Sequence, residues 1–109
     1  MNSLFISMKI IMTEEQYDKY VNNEVNRWIR RRYDIVNDGF IETLNFVDPC
    51  KFETYERYEG YFFAVFMDEL HPHYYLEENF DYTGFKSALM DLYYVETTEA
   101  YSDAKEKCQ

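Results

Sequence analysis

Few residues in this chain have the type and spacing to do chemistry. His71 and His73 flank Pro72 and are the only two histidines. Alternate residues on a strand share a face, and Asp68, Glu69, Glu77 and Glu78 lie close by as oxygen donors. Pro72 argues for a loop instead, and two histidines without a further His or Cys partner make a poor zinc set. They read as loop or surface residues. Cys50 as a nucleophile needs a neighbouring base, which no local motif supplies. Ser3, Ser7, Ser87 and Ser102 have no motif around them. Adjacent carboxylates such as Glu77-Glu78 arise without catalytic demand when 21 of 109 residues are acidic. Three glycines leave no phosphate cradle to build. The reading is a non-enzyme with no cofactor and no metal.

Charge is the stronger signal. The formal net charge is −10, from 11 Lys+Arg against the 21 acids. Arg27, Arg30, Arg31 and Arg32 crowd the end of a helical segment, where cations meet the negative end of the helix dipole. That cluster suits either an acidic partner or the protein's own acidic half. The acids concentrate beyond residue 53, among Tyr55, Tyr58, Tyr61, Tyr74, Tyr75, Tyr82, Tyr93 and Tyr94. Nucleic acid rewards a positive footprint, so direct nucleic-acid binding is excluded. Solvated acidic faces commonly serve solubility. A dense carboxylate field among tyrosines also suits a surface that steers basic partners. Glu53, Glu56, Glu59, Tyr74, Tyr75, Glu77, Glu78 and Asp81 are the candidate binding residues.

The elements that must position these residues read as one domain over 1–109. Leu4 to Met12 has the pattern of a first strand. Thr13 and Gln16 suit a capping box opening a helix from Glu14 to about Arg32. Its apolar stripe is Tyr17, Val21, Val25, Trp28 and Ile29. Asn37-Asp38-Gly39 signals a turn, and Phe40 to Val47 reads as extended. Asp48-Pro49 suits the start of a short helix. Residues 52–60 fit helix or strand. Glu59-Gly60 suits a hairpin turn before a strand over Tyr61–Met67, and 69–83 reads as a long connection. A second helix begins near Thr83 or Gly84, with the stripe Phe85, Ala88, Leu89, Leu92 and Tyr93. From Glu96 to residue 109 the chain reads as a polar tail. The fold class expected is therefore α+β: an N-terminal strand, an amphipathic helix, an antiparallel ribbon or small sheet, and a second packing helix.

Cys50 and Cys108 are too few for a disulfide framework and read as two free thiols of a reducing cytosol. No run approaches the roughly 20 apolar residues of a membrane span. These features together predict a cytoplasmic protein without membrane contact, a monomer or small homo-oligomer.

The run Met8-Lys9-Ile10-Ile11-Met12-Thr13-Glu14-Glu15-Gln16 resembles the start of small, uncharacterised phage-encoded proteins, in which a Met-Lys-Ile-Ile strand enters a Thr-Glu-Glu-Gln helix cap. The likeness covers about a tenth of the chain, names no activity, and implies Met8 as the start with 1–7 as an extension. By composition, the acidic, tyrosine-rich remainder resembles the small phage proteins that inhibit host nucleic-acid-binding enzymes by imitating DNA charge. The expectation that follows is a non-catalytic protein acting in the host cytoplasm, its acidic face set against a basic surface of a host nucleic-acid-binding or defence protein. The alternative is a structural or assembly protein of the virion, with aromatics buried in an oligomer interface. A small metal- or thiol-dependent enzyme is a third reading.

Overall fold

The computed structural model describes residue 13 and residues 24–108. The expected strand over 4–12, the Thr13–Gln16 capping box and the start of the first helix lie outside the described residues. Among the described residues the protein is all-helical. It consists of α1 (Glu24–Arg31), α2 (Tyr33–Phe46), a 3-10 turn (Pro49–Lys51), α3 (Tyr55–Tyr74) and α4 (Tyr82–Lys107). No strand occurs among them, so the α+β expectation, with its ribbon or small sheet, is overturned.

The reason lies in which residues are buried. In α3 these are Tyr58, Phe62, Phe63, Phe66, Met67, Leu70 and Tyr74, a helical stripe running through the segment expected as a hairpin. Tyr61, Ala64 and Asp68 take the outer face. Burial along a 3.6-residue period overrides the β-propensity of Tyr61–Met67, because only a helix sends all of these rings to one side. Gly60 is then no turn residue: it lies on the exposed face with open space where a Cβ would project. Asn37-Asp38-Gly39 likewise falls inside α2 rather than in a turn. A Cβ on Gly39 would stand 3.2 Å from Leu70 and 3.5 Å from Phe66, so the glycine lets α2 approach α3 closely. The connection expected over 69–83 shrinks to 75–81, and His71-Pro72-His73 forms the last turn of α3. Pro72 can donate nothing to the Asp68 carbonyl four residues back and crowds it, and the helix ends two residues later.

Two local expectations match the structure. Asp48 accepts a hydrogen bond from the Cys50 amide at 3.0 Å and caps the 3-10 turn that Pro49 opens. Phe85, Ala88, Leu89 and Tyr93 form the buried face of α4. Asp81 caps that helix, accepting from the Gly84 amide at 2.8 Å.

α2, α3 and α4 pack around a largely aromatic core. Phe40 stacks on Tyr93 at 4.0 Å and also meets Phe62 and Phe66 at 5.3 and 5.6 Å. α3 and α4 form an antiparallel hairpin: Tyr74 meets Phe85, Phe66 meets Tyr93, and Tyr58 meets Tyr101. At Tyr93 α4 leaves helical geometry (φ −109°, ψ 15°). The Thr97 and Thr98 hydroxyls donate to the carbonyls of Tyr93, Tyr94 and Val95 at 2.8–3.0 Å, satisfying acceptors beside the kink. No helix among the described residues is long and apolar enough to cross a membrane.

Candidate interaction surface

The expected binding residues do not lie together. Glu53, Glu56 and Glu59 sit at the start of α3. Tyr74 closes its other end, and Tyr75, Glu77, Glu78 and Asp81 follow it. From Glu59 to Tyr74 is a rise of 15 residues, about 22 Å.

At the far end the acids meet the arginine cluster. The Arg32 guanidinium pairs with Glu77 at 3.4 Å and lies 4.7 Å over the Trp28 ring. A cleft of about 370 Å³ opens between α1 and the 77–81 loop. Its walls carry Arg27 and Arg31 facing Glu24, Glu77, Glu78 and Asp81, with Trp28 and Phe80 between them. Arg32 thus finds an acidic counterpart within the chain. Tyr74 is buried in the cluster of Trp28, Phe80 and Phe85 and offers no surface to a partner. Asp81 is committed to capping α4. Tyr75 is exposed and stacks on His71 at 5.3 Å.

The near end differs. Thr54 caps α3, accepting from the Arg57 amide at 3.3 Å, and Glu56 stands in the first turn at the positive end of the dipole. Residues 96–107, expected as a tail, form the closing turns of α4. Thr97, Tyr101, Ala104 and Cys108 fall on one side of that helix, and Tyr101 donates to the Phe52 carbonyl at 3.0 Å while packing on Tyr55 and Tyr58. Glu99, Asp103 and Glu106, spaced 4-3, fall on the opposite side, whereas Glu96 has a buried carboxylate oxygen and lies near Tyr33 and Tyr93. The Tyr101 anchor sets this stripe at the same end of the molecule as Glu53, Glu56 and Glu59. Against these acids stand Lys51, Arg57, Lys105 and Lys107, and Lys105 leans over the Tyr101 ring at 5.3 Å. Among the described residues, Glu77 is the one carboxylate with a cationic partner within 4 Å.

Beneath the acidic surface a hydrogen-bonded set joins α3 to α4. The Tyr55 hydroxyl donates to Glu59 at 3.2 Å and lies 3.0 Å from the Thr97 hydroxyl. Burial pushes the Tyr55 phenol above its ordinary range, the Thr97 hydrogen bond opposes that, and the Glu59 charge adds to it. Burial also raises Tyr58 to about 12 and holds Tyr93 higher still.

The same end corrects the cysteine expectation. Cys50 and Cys108 form a disulfide, with Cα atoms 5.9 Å apart and a sequence separation of 58. That separation suits the bond. Neither cysteine is a free thiol. Their sequence spacing carried no signal, since only the return of α4 along α3 brings them together.

A second acidic feature lies between α2 and α3. Asp38 and Glu42 face Glu69 and His73 across a groove of about 270 Å³. A hydrogen bond with the Glu42 carboxyl raises the Glu69 pKa, with smaller contributions from burial and from the charges of Glu42 and Asp68. His71 and His73, two apart on a helix, point in different directions. Among the described residues no group of three His, Cys, Asp or Glu side chains is placed to hold a metal ion.

Comparison with protein families, with curated proteins and with solved structures finds no match for this chain.

Proposed function

We propose that the protein is a non-catalytic binding protein whose acid-rich end occupies a basic, nucleic-acid-binding surface of a partner protein. The observation that carries this reading is the outward stripe of Glu99, Asp103 and Glu106 at the same end as Glu53 and Glu56, on a helix whose opposite side carries Thr97, Tyr101 and the disulfide-bonded Cys108. Duplex DNA carries about one charge per 1.7 Å of axis, and rows of carboxylates on packed helices offer a comparable linear field to a cationic groove. The aromatic richness that would suit a virion assembly interface is largely accounted for by the core: Tyr58, Phe62, Phe63, Phe66, Phe85 and Tyr93 are buried within the chain itself.

The test is competition. The chain is titrated into complexes of duplex DNA with a panel of basic DNA-binding proteins, and DNA release is followed by fluorescence anisotropy. Displacement from at least one panel member at about 0.05 M salt, largely lost at about 0.2 M, is the expected result. The paired changes Glu53→Gln with Glu56→Gln, and Glu99→Gln with Asp103→Asn, should each weaken displacement, chiefly through slower association. Displacement indifferent to salt and to both pairs rejects the reading.

A further inference from the structure

The Cys50–Cys108 bond closes the end of the molecule that carries the proposed binding surface. Both cysteines are exposed. The last buried residue of α4 is Thr97, and its last anchoring side chain is the half-buried Tyr101. Beyond Tyr101 only Ala104 and Cys108 turn toward the 3-10 turn, where the Ala104 carbonyl lies 3.6 Å from the Cys50 sulfur. Asp103 and Glu106 project away. The final two turns of α4 therefore have little apolar burial of their own, and the disulfide is their principal tether. The carboxylates of these turns share one end with Glu53 and Glu56, so like-charge repulsion favours separation once the tether is cut.

We infer that this disulfide is a redox latch for the acid-rich end: oxidised, it holds the closing turns of α4 and their carboxylates against the start of α3, and reduced, it releases them. The inference rests on the binding role proposed above. The chemistry is thiol–disulfide exchange with a small dithiol. One donor thiolate attacks a sulfur of the pair, breaking the Cys50–Cys108 bond and forming a mixed disulfide. The donor's second thiolate then displaces the remaining cysteine. The protein gains two electrons and two protons, and the donor leaves as its own disulfide. Both steps require an accessible sulfur, which the exposure of the pair provides.

The experiment uses the full chain, oxidised with its disulfide confirmed by mass, reduced by dithiothreitol, and as the single variants Cys50→Ser and Cys108→Ser. Amide hydrogen exchange follows residues 102–108 and, as an internal reference, the core of α3. Binding to immobilised poly-lysine is measured on the same samples. The expected result is at least about tenfold faster exchange over 102–108 in the reduced chain and both variants, while the core of α3 still exchanges only through global unfolding and so stays far more protected than 102–108. Poly-lysine affinity should fall about threefold, as the two sets of carboxylates cease to form one field. Failure of the bond to form under air oxidation overturns the latch. So does unchanged exchange over 102–108, or loss of protection throughout α3, which would mark a staple for the whole fold. Oxidised chain carrying Glu99→Gln and Asp103→Asn separates the two ideas. If that pair weakens poly-lysine binding while the redox state does not, the latch is overturned and the charge reading stands. If neither matters, both fall.

Discussion

The two ends of the helical hairpin use their carboxylates in opposite ways. Around the 75–81 loop, Glu24, Glu77, Glu78 and Asp81 share a cleft with Arg27 and Arg31, and Arg32 pairs with Glu77. At the other end, Glu53, Glu56, Glu99, Asp103 and Glu106 stand without a cation within 4 Å among the described residues, and a covalent bond holds their helices together. One end is held by complementary charge and aromatic packing. The other bears unrelieved like charge and needs a tether. Acidic composition alone does not make a binding surface; what matters is which acids the fold leaves without a counter-ion.

The largest effect should come from the arginine end. Trp28 is 3% exposed and touches Tyr74, Phe80 and Phe85, so Trp28→Ala should cost about 3–5 kcal/mol in urea unfolding. A cost below about 1 kcal/mol would mean that aromatic packing does not hold this end.

Removing the tether tests the other end. Reduction, or Cys108→Ser, should lower stability by about 2–4 kcal/mol; closing a loop of 58 residues favours the upper figure on chain-entropy grounds. Equal urea midpoints with and without reductant would break the contrast between the ends.

A smaller effect of opposite sign is expected at Tyr58, whose buried hydroxyl has no hydrogen-bond partner. Tyr58→Phe should therefore stabilise by about 1 kcal/mol. The same burial makes alkaline pH destabilising. The folded state keeps the Tyr58 proton to about pH 12, whereas the unfolded chain releases it near 10.0. Stability from this group is complete below about pH 10 and falls as pH rises from there toward 12. Denaturant unfolding at stepped pH measures the slope, and Tyr58→Phe should flatten it.

The smallest effect is the Arg32–Glu77 pair, both of whose side chains are partly exposed at 34% and 43%. A double-mutant cycle with Arg32→Gln and Glu77→Gln should give a coupling of about 0.2–1 kcal/mol that shrinks with added salt. In contrast, Glu99→Gln should raise stability slightly, because it relieves repulsion. A loss at Glu99 equal to the loss at Glu77 would erase the distinction between the two ends.

The sequence made parts of this legible and concealed others for identifiable reasons. The Asp48-Pro49 turn and the apolar stripe from Phe85 to Tyr93 were readable because each is a local pattern with one favourable geometry. The arginine cluster also pointed to the chain's own acids as one of its two counterparts. α3 resembles a strand over Tyr61–Met67 because five of those seven residues are aromatic or β-branched, and only the wider spacing of Tyr58, Phe62, Phe66 and Leu70 betrays the helix. Asn37-Asp38-Gly39 carries turn chemistry, yet the glycine is there for close approach to Leu70. The acidic stripe Glu99, Asp103 and Glu106 is a 4-3 spacing, hidden in a segment whose polarity suits a tail as well as a helix. The disulfide and the split of the candidate acids between two ends are properties of the hairpin, invisible until α4 is laid back along α3.

The placement of the one tryptophan has an optical consequence. Trp28 lies against the 75–81 loop, ringed by Tyr74, Phe80 and Phe85 and capped by the Arg32 guanidinium. Tyr55, Tyr58, Tyr94 and Tyr101 gather at the disulfide. Tryptophan emission therefore observes the arginine end alone, whereas tyrosine absorbance on alkaline titration reads both ends, because Tyr75 and Tyr82 are exposed beside Tyr74. The protein thus carries one local native reporter and one distributed one, and a cooperative fold should make them change together.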